Sequence, residues 1–177
     1  MKAHLQRFAA YNRWANARLY EAALALSEAE YRRDVGAFFK SMHGTLNHLL
    51  LTDRLWLKRL TGEGDHPNRL DAIIHEQRRD LAMARADEDD RIIGYVAGLD
   101  EAALQEMHRY QNSSGKVFED RRSDLLVHLF NHHTHHRGQA HTILSICDRQ
   151  PPPLDLIAME RGVGAPDLRA IAARLAT

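Results

Sequence analysis

The chain has few of the residues that would make it disulfide-rich, linker-rich or membrane-spanning. Its 177 residues include one cysteine, 10 glycines and 5 prolines. A single thiol cannot form an internal disulfide, so we expect a reducing, cytoplasmic environment. So little glycine and proline argues against a long flexible linker or a disordered chain. No uninterrupted apolar run reaches the ~18 residues of a membrane-spanning helix, and the first residues lack the apolar segment of a signal peptide. We therefore expect neither export nor membrane insertion.

Neither sign of charge is in excess. Lysine plus arginine and aspartate plus glutamate both number 24, which gives a formal net charge of zero. Because no basic block stands out, we expect neither nucleic acid nor a membrane as a partner. The acidic segment at residues 84–91 is most simply a solvated helix face. The length predicts one domain, spanning residues 1–177.

Apolar residues recur at helical intervals along most of the chain. This periodicity predicts four long helices, at approximately residues 4–26, 37–60, 71–99 and 123–146. Residues 108–120 contain an Asn-Ser-Ser-Gly turn and predict a small hairpin or an extended loop. A short helix from about residue 165 completes the pattern. We therefore predict an all-α fold, namely an up-and-down four-helix bundle with a hairpin or loop before the last long helix and a C-terminal helical tail.

Histidine, in contrast, is abundant and concentrated. Six of the 12 histidines lie in the stretch HLFNHHTHHRGQAH, residues 128 to 141. Residues four apart lie about 40° apart around a helix, so His128, His132 and His136 form a row on one face. The row overlaps an apolar stripe, and we expect His132 and His136 to point into the bundle. Two inward imidazoles at this spacing can bind one transition metal.

His48 is the best candidate for a third ligand, because it lies among leucines in the second predicted helix. His43 lies nearer the start of that helix and His141 points away from the row, so we expect neither to bind metal. Any one histidine on an apolar face is more simply a hydrogen-bonded core residue. Desolvating several imidazoles without a partner costs free energy, however, and a metal supplies the partner. We therefore predict a metal site formed by His48, His132 and His136.

Neighbouring side chains could orient these ligands, because a metal-bound imidazole usually donates its other N–H group. The candidates are Asn131, His128, His135 and Gln139. Asp53 could accept a proton or form a salt bridge with Arg54 or Arg137, and we favour the salt bridge. Cys147 is interpreted as a small packed residue.

Several segments resemble the DinB (damage-inducible) family of YfiT-like metalloenzymes. They are YNRWAN at 11–16, HGTLNHLLLTDRLW at 43–56, HLFNHHTHHRGQ at 128–139 and PLDLIAMERG at 153–162. The similarity extends over nearly the whole chain. It implies an up-and-down four-helix bundle, often dimeric, with a divalent metal held by three histidines. Carried over position by position, these ligands are His48, His132 and His136.

Three protein ligands leave one tetrahedral position open, which is typical of catalytic metal sites. The ion would lower the pKa of a bound water or thiol. We therefore predict a metal-dependent enzyme that acts on a small molecule, either a transferase that uses a low-molecular-weight thiol or a hydrolase. The resemblance favours the transferase, because members of the wider superfamily look like thiol-dependent transferases and isomerases.

Two other hypotheses stay open at this point. The chain could be a non-catalytic, metal-binding stress-response protein, or a metal-free structural bundle that forms a homodimer. Imidazole ligands suit several transition metals. Zinc or nickel is the expected ion, with iron and manganese as alternatives.

Overall fold

The fold is predominantly helical, and the computed structural model describes residues 1–65, 67 and 69–175. Within these residues the elements are α1 (Lys2–Leu24), α2 (Glu28–Arg32), α3 (Met42–Thr61), α4 (Arg78–Gly98), α5 (Glu101–Gln105), β1 (Met107–Gln111), β2 (Val117–Arg121), α6 (Arg122–Ile146), α7 (Leu156–Glu160) and α8 (Leu168–Arg174). The helical majority and the hairpin are confirmed. The strict all-α assignment is wrong, because β1 and β2 pair in an antiparallel sheet. Gly115, at a φ of 84°, supports the reversal between them.

The four long helices surround the apolar core. Both α1 and α3 pack against α4 and α6. Leucines on their inner faces, such as Leu19 and Leu50, are fully buried, and each contributes roughly 1.5–3 kcal/mol through burial. In the described part of the chain, none of the helices has the length and apolarity to cross a bilayer. The up-and-down order and the single domain over residues 1–177 stay predictions of the sequence.

Helix α3 begins at Met42 rather than near residue 37. The preceding residues form a tight turn in which the Lys40 backbone N–H donates to the Ala37 carbonyl at 2.7 Å. Lys40 adopts a left-handed φ of 67°, which cannot continue into a right-handed helix. The Ser41 hydroxyl then caps the helix by accepting a hydrogen bond from the Gly44 backbone N–H at 3.1 Å.

Gly44 lets this turn pack against the first turn of α3. A Cβ atom at this position would overlap the carbonyl oxygen of Phe39. We expect Gly44→Ala to lower the free energy of unfolding by roughly 1–3 kcal/mol, because the turn must move away. Gly94→Ala is the control, since its Cβ would meet nothing within 4 Å and alanine favours the helix by up to about 1 kcal/mol. Urea unfolding compares the two variants, and equal stabilities would contradict the close approach.

Helix α4 begins at Arg78, although apolar periodicity predicts a start near residue 71. Residues 69–77 form a loop that is tied to α3 by the buried side chain of Asn47. Its Oδ1 accepts hydrogen bonds from the backbone N–H groups of Ile74 and His75 at 2.9 and 3.0 Å. Because these N–H groups donate to a side chain of α3 rather than to backbone carbonyls of a helix, α4 starts after them.

The acidic segment at residues 84–91 is not simply a solvated face, and that prediction is wrong in part. Its buried charged residues are Arg85, Glu88 and Asp89. Nη1 of Arg85 lies 2.6 Å from the Asp53 carboxylate, and Nη2 of Arg85 lies 3.0 Å from the Asp89 carboxylate. Charge in a helix can therefore face the core when each group finds its counter-charge there.

Candidate metal centre

Three histidines from two helices meet beside a cavity. His48 lies on α3, and His132 and His136 lie on successive turns of α6. One ring nitrogen from each lies within 4.8 Å of the other two. The closest rings are those of His132 and His136, whose centroids are 4.3 Å apart. These are the three residues that the sequence predicts as ligands, and the cluster could hold a metal ion.

Hydrogen bonds fix the protonation of two of these rings. The Nδ1 atom of His48 lies 2.8 Å from the Leu70 carbonyl oxygen, and Nδ1 of His136 lies 2.8 Å from Oε1 of Gln139. Since these oxygens only accept, both Nδ1 atoms carry the proton. Each Nε2 atom therefore has a free lone pair, which is the form that binds metal.

The donor set fits a divalent transition metal. The Nε2 atoms of His48 and His136 lie 3.2 Å apart, and two unprotonated nitrogens have no hydrogen to share at that separation. Imidazole nitrogens bound tetrahedrally at about 2.0–2.1 Å from zinc would lie about 3.3–3.4 Å from each other. Nδ1 of His132 is buried and has no hydrogen-bond partner among the described residues. A cation between these rings would relieve the repulsion between the two lone pairs.

Burial also keeps the imidazoles uncharged. Desolvation lowers the pKa of His48 to about 4 and the pKa of His132 to about 3. It lowers the pKa of His136 as well. Near neutral pH all three rings are therefore neutral, as metal ligation requires.

The cavity beside the histidines has a volume of about 880 Å³ and is bordered by two loops that flank α3. One is the turn that contains Phe38 and Phe39, and the other contains Leu70 and Ile73. The Phe39 ring stacks on the His48 ring, with centroids 3.8 Å apart and an interplanar angle of 19°. The histidine cluster is thus covered by aromatic and helical surfaces on some sides and borders the cavity on another.

A buried polar network anchors the ligand-bearing part of α6. His133 directly follows His132, is fully buried, and forms a hydrogen bond through Nε2 with the Asp53 carboxylate. Arg137 directly follows His136, is also buried, and donates to Asn12 on α1. Each ligand of α6 is therefore followed by a residue that fixes the helix to a neighbouring helix.

The role predicted for Asp53 needs correction. It does not pair with Arg54 or Arg137 but lies between Arg85 and His133. Burial alone would raise the pKa of this carboxyl, but His133 and Arg85 beside it hold the pKa below its ordinary value. The burial of His133 was not predicted from the sequence. The sequence feature that could have indicated this burial is that His133 and Arg137 are four residues apart, as His132 and His136 are.

Of the predicted orienting residues, Gln139 forms a hydrogen bond with the ligand His136, and the His135 ring packs edge-on against the His136 ring with centroids 4.7 Å apart. His135 is exposed, and its Nε2 lies 3.3 Å from Nε2 of Gln139. His128 is exposed and packs edge-to-face on Trp56 with centroids 5.0 Å apart. Asn131 is exposed and lines a separate groove between α1 and α6. The centroid of the His128 ring lies 6.0 Å from that of the His132 ring, so His128 borders the cluster, whereas Asn131 lies away from it.

His43, His141 and Cys147 have other partners. Both ring nitrogens of His43 are engaged, because Nδ1 lies 2.8 Å from the Arg32 guanidinium and Nε2 lies 2.9 Å from the His75 carbonyl oxygen. Nε2 of His141 lies 3.1 Å from the Pro152 carbonyl oxygen. Cys147 is buried in the apolar core. These positions agree with their exclusion from the predicted site.

A mostly helical chain with three clustered histidines able to hold a metal ion defines a class of candidate metal-binding proteins. The model of the DinB family matches residues 1–167, and the chain belongs to this family. It is 26% identical over 155 residues to Protein DinB of Bacillus subtilis (strain 168), covering 82% of this chain and 87% of that protein. Its fold is similar to the crystal structure of a DinB-like protein from Bacillus cereus ATCC 10987, with a TM-score of 0.61 and 12% identity over 79% of this chain and 90% of the other.

Proposed function

We propose that the chain is a divalent-metal-dependent enzyme whose ligands are His48, His132 and His136, with zinc or nickel as the ion. One observation carries the proposal: the Nε2 atoms of His48 and His136 lie 3.2 Å apart in a cluster that borders a cavity of about 880 Å³. A purely structural metal site is closed by four protein ligands and does not require an adjoining cavity. When bound, the ion supplies Lewis acidity that lowers the pKa of a water or thiol.

The chain's own groups hold the site ready for binding. The Leu70 carbonyl and the Gln139 side chain orient two of the imidazoles through their Nδ1 atoms. The Phe39 ring shields one face of His48 from water. Burial keeps the imidazoles unprotonated near neutral pH, so their lone pairs stay available to the ion. Unlike carboxylate or thiolate ligands, neutral imidazoles bring no negative charge that would weaken the acidity of the ion.

Among possible reactions we propose transfer of a low-molecular-weight thiol to an electrophile. The cavity volume of about 880 Å³ lies near the upper end of the roughly 300–1,000 Å³ that small-molecule sites span. This volume is large enough for a small thiol and an acceptor together. The sulfur would form a bond to the acceptor carbon as that carbon loses its leaving group, and the thiol proton would pass to water. Cys147 is buried in the core and does not line the cavity, so it does not compete as the nucleophile.

The test is an assay of zinc- or nickel-reconstituted, tag-free protein with glutathione, cysteine and coenzyme A and a chlorodinitrobenzene acceptor. We expect thiol-dependent release of chloride, reduced about 100-fold or more in His136→Ala, because that variant lacks a ligand rather than an outer hydrogen-bond partner. His141→Ala should retain the activity. Cleavage of nitrophenyl esters without consumption of any thiol would instead support the hydrolase.

A lack of both activities in protein that holds one ion per chain would support the non-catalytic metal-binding alternative. Homodimer formation and a role in stress response stay predictions of the family resemblance.

A further inference from the structure

Three large apolar side chains stand exposed at the mouth of the histidine cavity. Phe38, Leu70 and Ile73 are 83%, 44% and 42% exposed, and all three line the cavity. We call them the apolar rim. Scattered exposed apolar residues are ordinary in proteins, but a cluster beside a cavity is typical of a binding surface. Because the rim joins two loops that are distant in sequence, local composition does not explain the cluster.

The apolar rim is continuous with the histidine cluster. Phe38 packs edge-to-face on Phe39 with centroids 4.9 Å apart, and Phe39 stacks on His48 at 3.8 Å. On the other side, the backbone carbonyl of Leu70 accepts the hydrogen bond from Nδ1 of His48 at 2.8 Å. A molecule that rests on the rim therefore lies next to the candidate metal ligands.

The backbone holds Phe38 in its exposed position. The Val35 backbone N–H donates to the Lys40 carbonyl at 2.9 Å, and the Lys40 N–H donates to the Ala37 carbonyl at 2.7 Å. The close approach of Phe39 to Gly44 fixes the other end of this turn. A surface that is ordered before binding loses less conformational entropy when a ligand arrives.

The charges that line the cavity balance in number, and most of them contact a neighbouring polar group. Two cations and two anions line it, namely Arg32, Lys40, Asp34 and Asp71. The Arg32 guanidinium donates to the Glu76 carboxylate at 3.1 Å, and the Asp71 carboxylate accepts from Arg69 at 2.8 Å. The Asp34 carboxylate accepts from the Gly36 backbone N–H at 3.0 Å. A strongly charged ligand would find no excess of opposite charge here. An uncharged apolar group would instead find the side chains of the apolar rim to pack against.

We infer that the apolar rim binds an uncharged aryl or alkyl group of the small-molecule substrate. The inference rests on the proposed function, in which this group belongs to the acceptor that receives the thiol. Apolar burial against the rim supplies affinity, and the adjoining histidine cluster determines where on the acceptor the reaction occurs.

The first test measures binding without turnover, with N-phenyl-1-naphthylamine as an uncharged fluorescent probe. We expect saturable binding to the full-length protein, with and without zinc. Phe38→Ser should weaken it about tenfold or more, because a large apolar contact is lost. Ile73→Ser should also weaken it. Ile157→Ser is the matched control, since Ile157 is similarly exposed, at 53%, and lies on α7 outside the cavity lining.

The outcomes separate this inference from the proposed function. Loss of probe binding in Phe38→Ser and Ile73→Ser but not in Ile157→Ser would support the apolar rim, even if no thiol transfer were found. Equal probe binding in all variants would overturn the inference, even if transfer were found. Stronger binding of the sulfonated analogue of the probe than of the probe itself would overturn the preference for uncharged groups.

A second measurement uses a series of alkyl and benzyl halide acceptors with the metal-loaded enzyme. We expect kcat/KM to rise up to about fourfold for each methylene group buried on the rim, and this dependence to flatten in Phe38→Ser. If the rim instead binds a second copy of the chain, sedimentation would show a dimer that Phe38→Ser dissociates. That result, with probe binding unchanged in the monomeric variant, would overturn the inference.

Discussion

His136→Ala is expected to bind far less divalent metal than the wild-type protein. The Nε2 atom of His136 lies 3.2 Å from that of His48, so truncation removes a donor from the centre of the cluster and leaves two ligands. Loss of an outer hydrogen-bond partner of a ligand lowers metal affinity about 10–100-fold, and loss of the ligand itself should exceed this. Elemental mass spectrometry on tag-free, dialysed protein should show about one ion per chain in the wild type and almost none in the variant.

Two further variants make this result specific. Gln139→Ala removes the acceptor for Nδ1 of His136, which lies 2.8 Å away, and we expect about 10–100-fold weaker binding with the ion still present at saturation. His141→Ala changes a histidine that contacts the Pro152 carbonyl instead, and its occupancy should equal that of the wild type. Equal loss in His141→Ala would contradict the assignment of helix faces. A wild-type protein that remains metal-free after zinc is added would contradict the site itself.

The positions of the candidate ligands could be predicted because they depend on local geometry. Spacing of four residues determines that His132 and His136 share a face of α6, and apolar neighbours indicate that His48 faces inward. The Leu70 carbonyl and the Phe39 ring, in contrast, come from loops on either side of α3. Their approach to His48 depends on where those loops cross the helix, and no short pattern in the chain encodes that path.

The starts of the helices could not be predicted from local sequence for the same reason. Apolar periodicity predicts a helix from about residue 71, but the buried side chain of Asn47 accepts hydrogen bonds from the backbone N–H groups of Ile74 and His75, and a loop results. Likewise, a run of charges predicts a solvated face unless the partners are known. Arg85 can be buried because Asp53, which is distant in sequence, lies 2.6 Å away. Tertiary partners of this kind override both local signals.

Arg85→Met is expected to destabilise the protein more than any surface substitution. The Arg85 side chain is fully buried between the carboxylates of Asp53 and Asp89, at 2.6 and 3.0 Å. Methionine fills much of the volume but leaves two buried carboxylates without their cation. Removal of one member of such a group typically lowers the free energy of unfolding by about 3–5 kcal/mol.

Urea unfolding at pH 7 measures the loss, and Arg169→Met is the matched control. Arg169 also contacts two aspartates of α4, Asp87 and Asp90, but it is exposed, so we expect a loss of only about 0–1 kcal/mol.

The pH dependence gives the test of Arg85→Met its sharpest form. Burial raises the pKa of Asp89 to about 6 in the folded protein, despite the neighbouring Arg85. An acid with a raised folded pKa stabilises the fold at low pH, and this stability is lost as pH rises through the folded value. Without Arg85 the pKa of Asp89 should rise further, so the difference in stability between wild type and variant should grow from pH 5 to pH 8. A constant difference over this range would mean that the two carboxylates find other cations. No difference at all would contradict the role of Arg85 as the cation that balances the two buried carboxylates.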